Sequence, residues 1–247
     1  MSANKYLPLF WKRIADLFPG GKSMVLNVMG SKMAIRPGSY DLYVLGEVFW
    51  EQVYAPRFIR IKAPDVIVDL GANIGAFSVW AAKRWDPAKI VAVEMENDNF
   101  TLLQENIRLN GLCEKVIPVK ACIWDENGQV GIKKHPFNHG MHQGCLDTKE
   151  GGVAALTMEK LLDMVKVRKI DVLKMDIEGA EERIINEKNE RLFAEGVGTL
   201  LAELHPTRGV QVKRMVEALE KTGFDVNIRR QWLRTTVLLE AVNSYVR

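Results

Sequence analysis

Apolar residues recur along the chain with two different periods. Short runs rich in valine and isoleucine, at 66–69, 89–95 and 169–176, have the length and composition of strands buried on both faces. Between them, segments such as 97–110 place apolar residues three or four positions apart, which is typical of helices. This alternation predicts an α/β fold with a Rossmann-like, doubly wound, mostly parallel sheet of seven strands. Two closing strands joined by a tight turn predict that one strand is antiparallel.

The first sixty residues do not follow this alternation. Residues 5–18 have the spacing of a helix with one apolar face, 23–36 alternate like a β-hairpin, and 39–54 resemble an amphipathic helix. We therefore divide the chain into an N-terminal helix, hairpin and lid helix (1–60) and a cofactor-binding domain (61–247). The helix at 5–18 is interpreted as docked on this domain, and the alternative is contact with a membrane surface or a partner.

Composition and charge set limits on the function. The chain has 247 residues, of which 47% are hydrophobic, and a net charge of +3 that is spread along the sequence. This mild charge gives no argument for a nucleic-acid surface, so we expect no nucleic-acid partner. No segment reaches the roughly 18 apolar residues of a membrane span, and the three cysteines lack metal spacing. With no visible signal peptide, these features predict a cytoplasmic protein, whereas the oligomeric state has no signature in the sequence.

The stretch DVIVDLGANIG has the clearest chemical signature in the chain. Asp69 stands where open α/β sheets bind their ligands, and Gly71 and Gly75 let a ligand approach the backbone at the start of a helix. A dinucleotide fingerprint would read G-x-G-x-x-G, but the matching positions hold Gly71, Asn73 and Ala76. An acidic residue at this strand end suits a ligand with an ammonium or sulfonium group. The alternative is a turn that only packs a helix on the sheet.

A second carboxylate supports a nucleoside ligand. Glu94 follows Asp69 by 25 residues and ends the next predicted strand. A carboxylate at this position accepts hydrogen bonds from both hydroxyls of a ribose. Dinucleotides and S-adenosylmethionine both use such a residue, so the glycine spacing decides between them. That spacing resembles motif I of S-adenosylmethionine-dependent methyltransferases.

The stretch IDVLKMDIEGAE is the second distinctive segment. Lys174 and Asp176 alternate onto one face of the predicted fourth strand, and Asp176 falls at its carboxyl end beside the cofactor crevice. A lysine in an apolar strand costs desolvation unless it is paired, and Asp176 or Glu178 is the expected partner. For Glu181 and Glu182, a place in the first turn of the next helix is a sufficient explanation.

Together, D-x-G-A-N-x-G, the acidic end of the second strand, N-x-x-x-N-G and K-x-D-x-E-G-A-E resemble the FkbM-type methyltransferase family. The resemblance covers about residues 41–224, and K-x-D-x-E-G-A-E is its most specific part. It implies S-adenosylmethionine as the cofactor and a hydroxyl of a small molecule or sugar as the methyl acceptor. An upstream segment that begins at Asp41 also matches and is expected to close over the cofactor. The implied cofactor-binding residues are Glu47, Tyr54, Asp69, Gly71, Ala72, Asn73, Gly75, Glu94, Asn99, Ala121, Cys122 and Asp176.

The tripeptide Glu-Leu-His at the end of the predicted fifth strand completes the candidate site. The period of two points Glu203 and His205 to the same side, next to Asp176. His205 or Asp176 then accepts the proton of the acceptor hydroxyl, or Asp176, Glu203 and His205 hold a divalent cation. We expect the metal-free base, because Lys174 already neutralises part of the carboxylate charge. The candidate catalytic residues are Lys174, Asp176, Glu203 and His205.

Two other functions compete with O-methylation. The first is methylation of RNA or protein. The chain lacks an N-P-P-Y motif and a basic stripe with interleaved aromatic residues, and this argues against such a function. The second is a non-catalytic cofactor-binding module. The presence of the strand-end carboxylates and histidine argues against this function.

The long segment 135–152 has no periodicity and contains three of the four histidines, His135, His139 and His142. A loop of this length inside a domain is usually functional or mobile. We expect no metal there, because no fourth ligand stands at a recognisable spacing.

Overall fold

The structure is a computed structural model. It describes most of the chain, namely residues 23–133, 143–145, 152–206, 211–230 and 236–246. The predicted helix at 5–18 and the three histidines of the segment 135–152 lie outside these ranges. Within them, no helix is long and apolar enough to cross a membrane.

Strands and helices alternate through the described chain. The strands are β1 (Met24–Val28), β2 (Ser31–Ile35), β3 (Val66–Leu70), β4 (Lys89–Glu94), β5 (Val116–Lys120), β6 (Cys122–Ile123), β7 (Gly128–Lys133), β8 (Gln143–Cys145), β9 (Val153–Leu156), β10 (Ile170–Met175), β11 (Val197–Leu204), β12 (Phe224–Arg230) and β13 (Val237–Asn243). The helices are α1 (Asp41–Leu45), α2 (Ala76–Trp85), α3 (Asn97–Leu109), α4 (Met158–Val165), α5 (Glu181–Ile184), α6 (Glu190–Gly196) and α7 (Val212–Lys221).

The central sheet has seven strands in the order β12-β13-β11-β10-β3-β4-β5. All of them run parallel except β13, which is antiparallel to β11 and β12. This confirms the predicted α/β fold with one antiparallel strand. The order places the carboxyl ends of β4, β3, β10 and β11 side by side, and that edge is where the candidate residues end their strands.

The sheet is covered on both faces. Alternate residues of β3 point to opposite sides, so Ile67 packs in one core with α2 and α3, while Val68 packs in another with α4 and α7. Burial on both faces explains why the strands read as continuous apolar runs.

The hairpin β1–β2 is fixed to α3 by two asparagines. Asn106 accepts from the backbone N–H of Ala34 at 2.6 Å and donates to the carbonyl of Ile74 at 2.8 Å. Asn110 accepts from the N–H of Lys32 at 3.1 Å. The N-x-x-x-N-G positions therefore dock the hairpin beside the glycine turn. The division of the chain at residue 60 stays a prediction.

Three elements differ from the sequence prediction. The helix expected at 39–54 is α1 followed by a π-helical turn, Gly46–Trp50. The helix predicted after the fourth strand is reduced to α5, because Glu178 and Gly179 have positive φ values of 57° and 100° and form a turn first. A second sheet with the order β6-β9-β7-β8 was not predicted, since two alanines give β9 a weak strand propensity.

Candidate functional site

A cavity lies at the carboxyl ends of β3, β4 and β10, the edge where open α/β sheets bind their ligands. Seven of the predicted cofactor-binding residues line it: Gly71, Asn73, Glu94, Asn99, Ala121, Cys122 and Asp176. The other five, which are Glu47, Tyr54, Asp69, Ala72 and Gly75, are not among the lining residues. The parallel sheet thus brings seven of the twelve predicted residues to one cavity, and the other five do not line it.

The two glycines of the turn are required by the packing of the protein itself. Gly71 has φ +73°, and a Cβ atom there would lie 1.9 Å from the backbone oxygen of Asp176. Gly75 has φ +83°, and its Cβ would lie 2.7 Å from Cδ1 of Leu103. Protein atoms thus already require glycine at both positions, and the approach of a ligand to the backbone there stays a prediction.

Glu94 stands at the end of β4 with both carboxylate oxygens on backbone donors. Oε2 accepts from the N–H of Asn73 at 2.8 Å, and Oε1 accepts from the N–H of Glu96 at 2.7 Å. Burial raises the pKa of Glu94 to about 7, against the two backbone hydrogen bonds, which lower it. Each oxygen retains a lone pair for a further donor.

Apolar residues also line the cavity, and no sequence pattern identified them. They include Met95, Ile123 and Trp124. The guanidinium of Arg183 lies 4.2 Å from the ring centroid of Trp124 and pairs with Asp125 at 3.1 Å. The C-I-W-D tetrapeptide after β5 was the available indication, since Trp124 stands two residues after Cys122, a predicted cofactor-binding residue.

Asn99 connects the cavity to the N-terminal segment. Its Oδ1 accepts from Nη2 of Arg36 at 2.6 Å, and the same guanidinium pairs with Asp41 at 2.7 Å. Asp41 is buried and also accepts from the backbone N–H of Arg36. Asp41 thus holds Arg36 against Asn99, and the expected closure of its segment over the cofactor stays a prediction.

Lys174 and Asp69 form a buried ion pair between β10 and β3. Lys174 Nζ lies 3.1 Å from Asp69 Oδ1 and donates to the carbonyl of Gly71 at 2.8 Å, and Ser78 donates to Asp69 Oδ2 at 2.7 Å. Burial lowers the pKa of Lys174, but the charges of Asp69 and Asp176 and the hydrogen bond to Asp69 outweigh burial and raise it. The expected partners were Asp176 and Glu178, so this is a correction. Parallel pairing of β10 with β3 sets Lys174 directly opposite Asp69.

Tyr54 joins the ends of β10 and β11. Its hydroxyl lies 2.9 Å from Asp176 Oδ2 and 3.2 Å from Glu203 Oε2. Burial, followed by the charges of Asp176, Glu203 and Glu47, raises its pKa well above the usual value. Tyr54 is therefore a neutral hydrogen-bonding residue that holds two carboxylates, and Glu47 acts on it by its charge from the π-helical turn.

His205 is surrounded by three carboxylates. Nδ1 lies 2.7 Å from Glu181 Oε1, and Nε2 lies 3.4 Å from Glu178 Oε2 and 3.7 Å from Asp176 Oδ1. Burial lowers the pKa of His205, but the hydrogen bond to Glu181 and the charges of Asp176, Glu181 and Glu178 raise it to about 9. Glu181, which the sequence analysis assigned to a helix start, is fully buried and orients this ring.

The family model of the TRM5/TYW2 methyltransferase domain matches residues 55–131. The match contains β3, β4 and β5 with their helices, and it ends before β10. It therefore contains Glu94 and the glycine turn, and it does not contain the carboxylates around His205.

Three relatives extend the similarity beyond this segment. Methyltransferase sdnD of Sordaria araneosa is 25% identical over 224 residues, which are 77% of this chain and 85% of the relative. Hexuronic acid methyltransferase AglP of Haloferax volcanii is 26% identical over 170 residues, 67% of this chain and 66% of the relative. The tRNA (guanine(37)-N(1))-methyltransferase Trm5b of Methanocaldococcus jannaschii is 35% identical over 131 residues, 51% of this chain and 38% of the relative.

The chain is an S-adenosylmethionine-dependent methyltransferase. Among solved structures, methyltransferase FkbM from Methylobacillus flagellatus superposes with a TM-score of 0.55 at 14% identity, covering 81% of this chain and 53% of that one. At this identity the similarity shows the fold of the methyltransferase alone.

The exclusion of nucleic acid as a partner was wrong. It rested on the mild and dispersed charge of the methyltransferase, yet a relative that is 35% identical over 131 residues is a tRNA methyltransferase. The domain model that matches this chain is that of TRM5/TYW2 as well. Net charge measures electrostatic attraction, and it does not report which acceptor fits the active site.

Proposed function

We propose that this methyltransferase is of the FkbM type and transfers the methyl group to a hydroxyl oxygen of a small molecule or sugar. The observation that carries the proposal is the position of Asp176. This residue lines the cofactor cavity and also contacts Tyr54 and His205. A hydroxyl is a weak nucleophile until its proton is accepted, and a carboxylate beside the methyl donor supplies an acceptor.

The cavity fits S-adenosylmethionine in its chemistry. Glu94 offers a buried carboxylate to the ribose hydroxyls, and Ile123 and Trp124 offer apolar surface to the adenine. Asp176 also lines the cavity, and its negative charge suits a positively charged sulfonium group. S-adenosylmethionine, when bound, supplies a methyl group on a positively charged sulfur. The predicted contact of Asp69 with the cofactor stays a prediction, and its carboxylate here is fully buried against Ser78 and Lys174.

The remaining candidates divide into proton acceptor and positioning residues. With a pKa of about 9, His205 is protonated near neutral pH and donates rather than accepts, which favours Asp176 as the base. Glu203 shares the hydroxyl of Tyr54 with Asp176 and so helps to orient it. Lys174 acts through Asp69 and the carbonyl of Gly71 and holds the turn in place.

Two relatives support a small acceptor. The hexuronic acid methyltransferase modifies a sugar acid by its name, and its match extends over 67% of this chain. The match to methyltransferase sdnD extends over 77% of this chain and most of the relative. Both alignments are longer than the 131 residues shared with the tRNA methyltransferase.

RNA methylation is the second candidate function. The highest identity among the three relatives, 35%, is to a tRNA methyltransferase. The matching TRM5/TYW2 model covers the part of the chain that contains Glu94 and the glycine turn. These residues serve the methyl donor, which both functions share, so the acceptor side of the cavity decides between them.

The test is transfer of a tritiated methyl group from S-adenosylmethionine to two sets of acceptors. One set contains free and nucleotide-linked hexuronic acids and neutral sugars, and the other contains unmodified tRNA transcripts. We expect label in an O-methyl ether of the first set. Label in tRNA and none in the hydroxyl acceptors would overturn the proposal in favour of RNA methylation. The cytoplasmic location stays a prediction.

A further inference from the structure

We propose that Asp176, Glu178 and His205 form a binding site for a divalent cation of the Mg²⁺ and Mn²⁺ class. Each of the three residues offers one ligand atom, and these atoms lie within 4.8 Å of one another. Nε2 of His205 is 3.7 Å from Asp176 Oδ1 and 3.4 Å from Glu178 Oε2. All three side chains are at most partly exposed.

The distances are those of ligands around an ion. A hydrogen bond from a ring nitrogen to a carboxylate is about 2.7–3.2 Å long, which is shorter than either distance from Nε2. Ligands held about 2.1 Å from an octahedral ion lie about 3.0 Å apart along an edge and about 4.2 Å apart across the ion. The two distances from Nε2 fall between these values, and the three ligand atoms lie within 4.8 Å of one another, so binding of one cation requires the side chains to move closer together.

The histidine is oriented as in metal sites. Glu181 contacts Nδ1 at 2.7 Å, is fully buried, and accepts from the backbone N–H of Gly179 at 3.1 Å. A carboxylate on one imidazole nitrogen fixes the ring and increases the basicity of the other, as behind metal-ligating histidines. Here the second nitrogen faces Asp176 and Glu178, so a cation replaces the proton on Nε2.

The local charge also calls for a cation. Asp176, Glu178 and Glu181 face one imidazole, whose single positive charge leaves an excess of negative charge. Lys174, which was expected to neutralise this group, forms its ion pair with Asp69 instead. Oε2 of Glu181 is buried and has no hydrogen-bond partner among the described residues. Lys174 therefore acts on Asp176 only through its charge, which weakens the expectation of a metal-free site.

The ligand set indicates the kind of ion and its use. Two carboxylates and one imidazole suit Mg²⁺ or Mn²⁺ better than a thiolate-preferring metal. Three protein ligands leave coordination positions for oxygen atoms of water or of an acceptor. Because Asp176 and Glu178 line the cofactor cavity, the ion would lie beside the methyl donor. A hydroxyl oxygen bound to the ion would have a lowered pKa; this last step rests on the proposed O-methylation.

Binding of Mn²⁺ by the purified full-length chain tests the site without any methyl transfer. Calorimetry and the loss of the free Mn²⁺ signal in electron paramagnetic resonance should show one ion bound per chain at 1 mM or less, in the absence of cofactor and acceptor. We expect Glu178→Gln and His205→Gln to weaken Mn²⁺ binding at least tenfold. Glu181→Gln, which removes only the orienting carboxylate, should weaken it by about 10–100-fold.

Glu182→Gln is the matched control, since Glu182 belongs to the same helical turn and accepts from the backbone N–H of Gln211 outside the cluster. Its Mn²⁺ affinity should stay within twofold of the wild type. Cooperative urea unfolding shows that each variant is folded. Absence of Mn²⁺ binding by the wild type at 1 mM, or equal binding by the folded Glu178→Gln and Glu182→Gln chains, overturns the proposal. Mn²⁺ binding without methylation of any hydroxyl acceptor leaves the site intact and contradicts only the proposed function.

Discussion

Two groups of buried charges lie beside each other at the carboxyl edge of the sheet, and they are built differently. In the first, Lys174 pairs with Asp69 at 3.1 Å, and Ser78 occupies the second carboxylate oxygen. In the second, His205 is the centre of three carboxylates, of which only Glu181 lies at hydrogen-bond distance. We name the first the closed pair and the second the open cluster.

The difference lies in charge balance and in access. The closed pair has one cation for one anion and no exposed surface at Asp69, and it connects β10 to β3. The open cluster has more carboxylates than cations, and Asp176 is 27% exposed at the cavity. Residues of the same chemical type are thus fully paired in one group and carry an excess of negative charge in the other.

The largest effect is expected from the open cluster. Asp176→Asn removes the proposed proton acceptor and leaves the shape unchanged. Methyl transfer should fall by about 10²–10⁴-fold. Chemical denaturation should show nearly the wild-type free energy of unfolding, because Asp176 is partly exposed. A turnover rate within threefold of the wild type would remove Asp176 from the mechanism.

The closed pair should respond in the opposite way. Lys174→Met leaves the buried Asp69 carboxylate without its cation and should lower the free energy of unfolding by about 3–5 kcal/mol. The double variant Asp69→Asn/Lys174→Met removes both charges and should recover much of this loss. Urea denaturation of the wild type, the single variant and the double variant measures these free energies of unfolding. If the single variant lost less than 1 kcal/mol, Lys174 and Asp69 would not form a closed pair in solution.

A smaller effect is expected at Glu94, on the cofactor side of the cavity. Glu94→Gln should weaken S-adenosylhomocysteine binding by about 1.5–3 kcal/mol, or roughly 10–100-fold, because hydrogen bonds to a charged acceptor are lost.

The pKa of about 7 adds a pH dependence to this prediction. The ionised form accepts hydrogen bonds and the protonated form loses acceptor capacity, so wild-type affinity should fall as the pH drops below about 7. Titration calorimetry from pH 5.5 to 8.5 should show this slope in the wild type and a flat profile in Glu94→Gln. A wild-type affinity that is constant over this range would show that Glu94 does not titrate there.

Much of the fold was predictable because the strands are buried on both faces. Continuous apolar runs, such as that of β3, have few alternatives to a central strand. The second sheet was missed because β9 is stabilised by pairing with β6 and β7 and has little propensity of its own. The helix predicted after β10 was cut short by two residues with positive φ, which periodicity does not reveal.

The site was predictable in its members and less so in their roles. Strand ends identified Asp176, Glu203 and His205, because parallel strands bring their carboxyl ends to one edge. Glu181 escaped notice since its sequence position has an adequate local explanation at the start of a helix. Its contact with His205 joins residues 24 positions apart and depends on the turn at Glu178.

The sequence by itself determined the strands of the central sheet, the methyl donor and most of the charged residues at the cavity. These follow from local patterns, in which each residue is judged against its near neighbours. Only the tertiary structure decided that Lys174 pairs with Asp69 and that Asp176, Glu178 and Glu181 share His205. Charge pairing depends on distances of a few ångströms between different strands. The register of β10 against β3 and the turn after β10 set those distances.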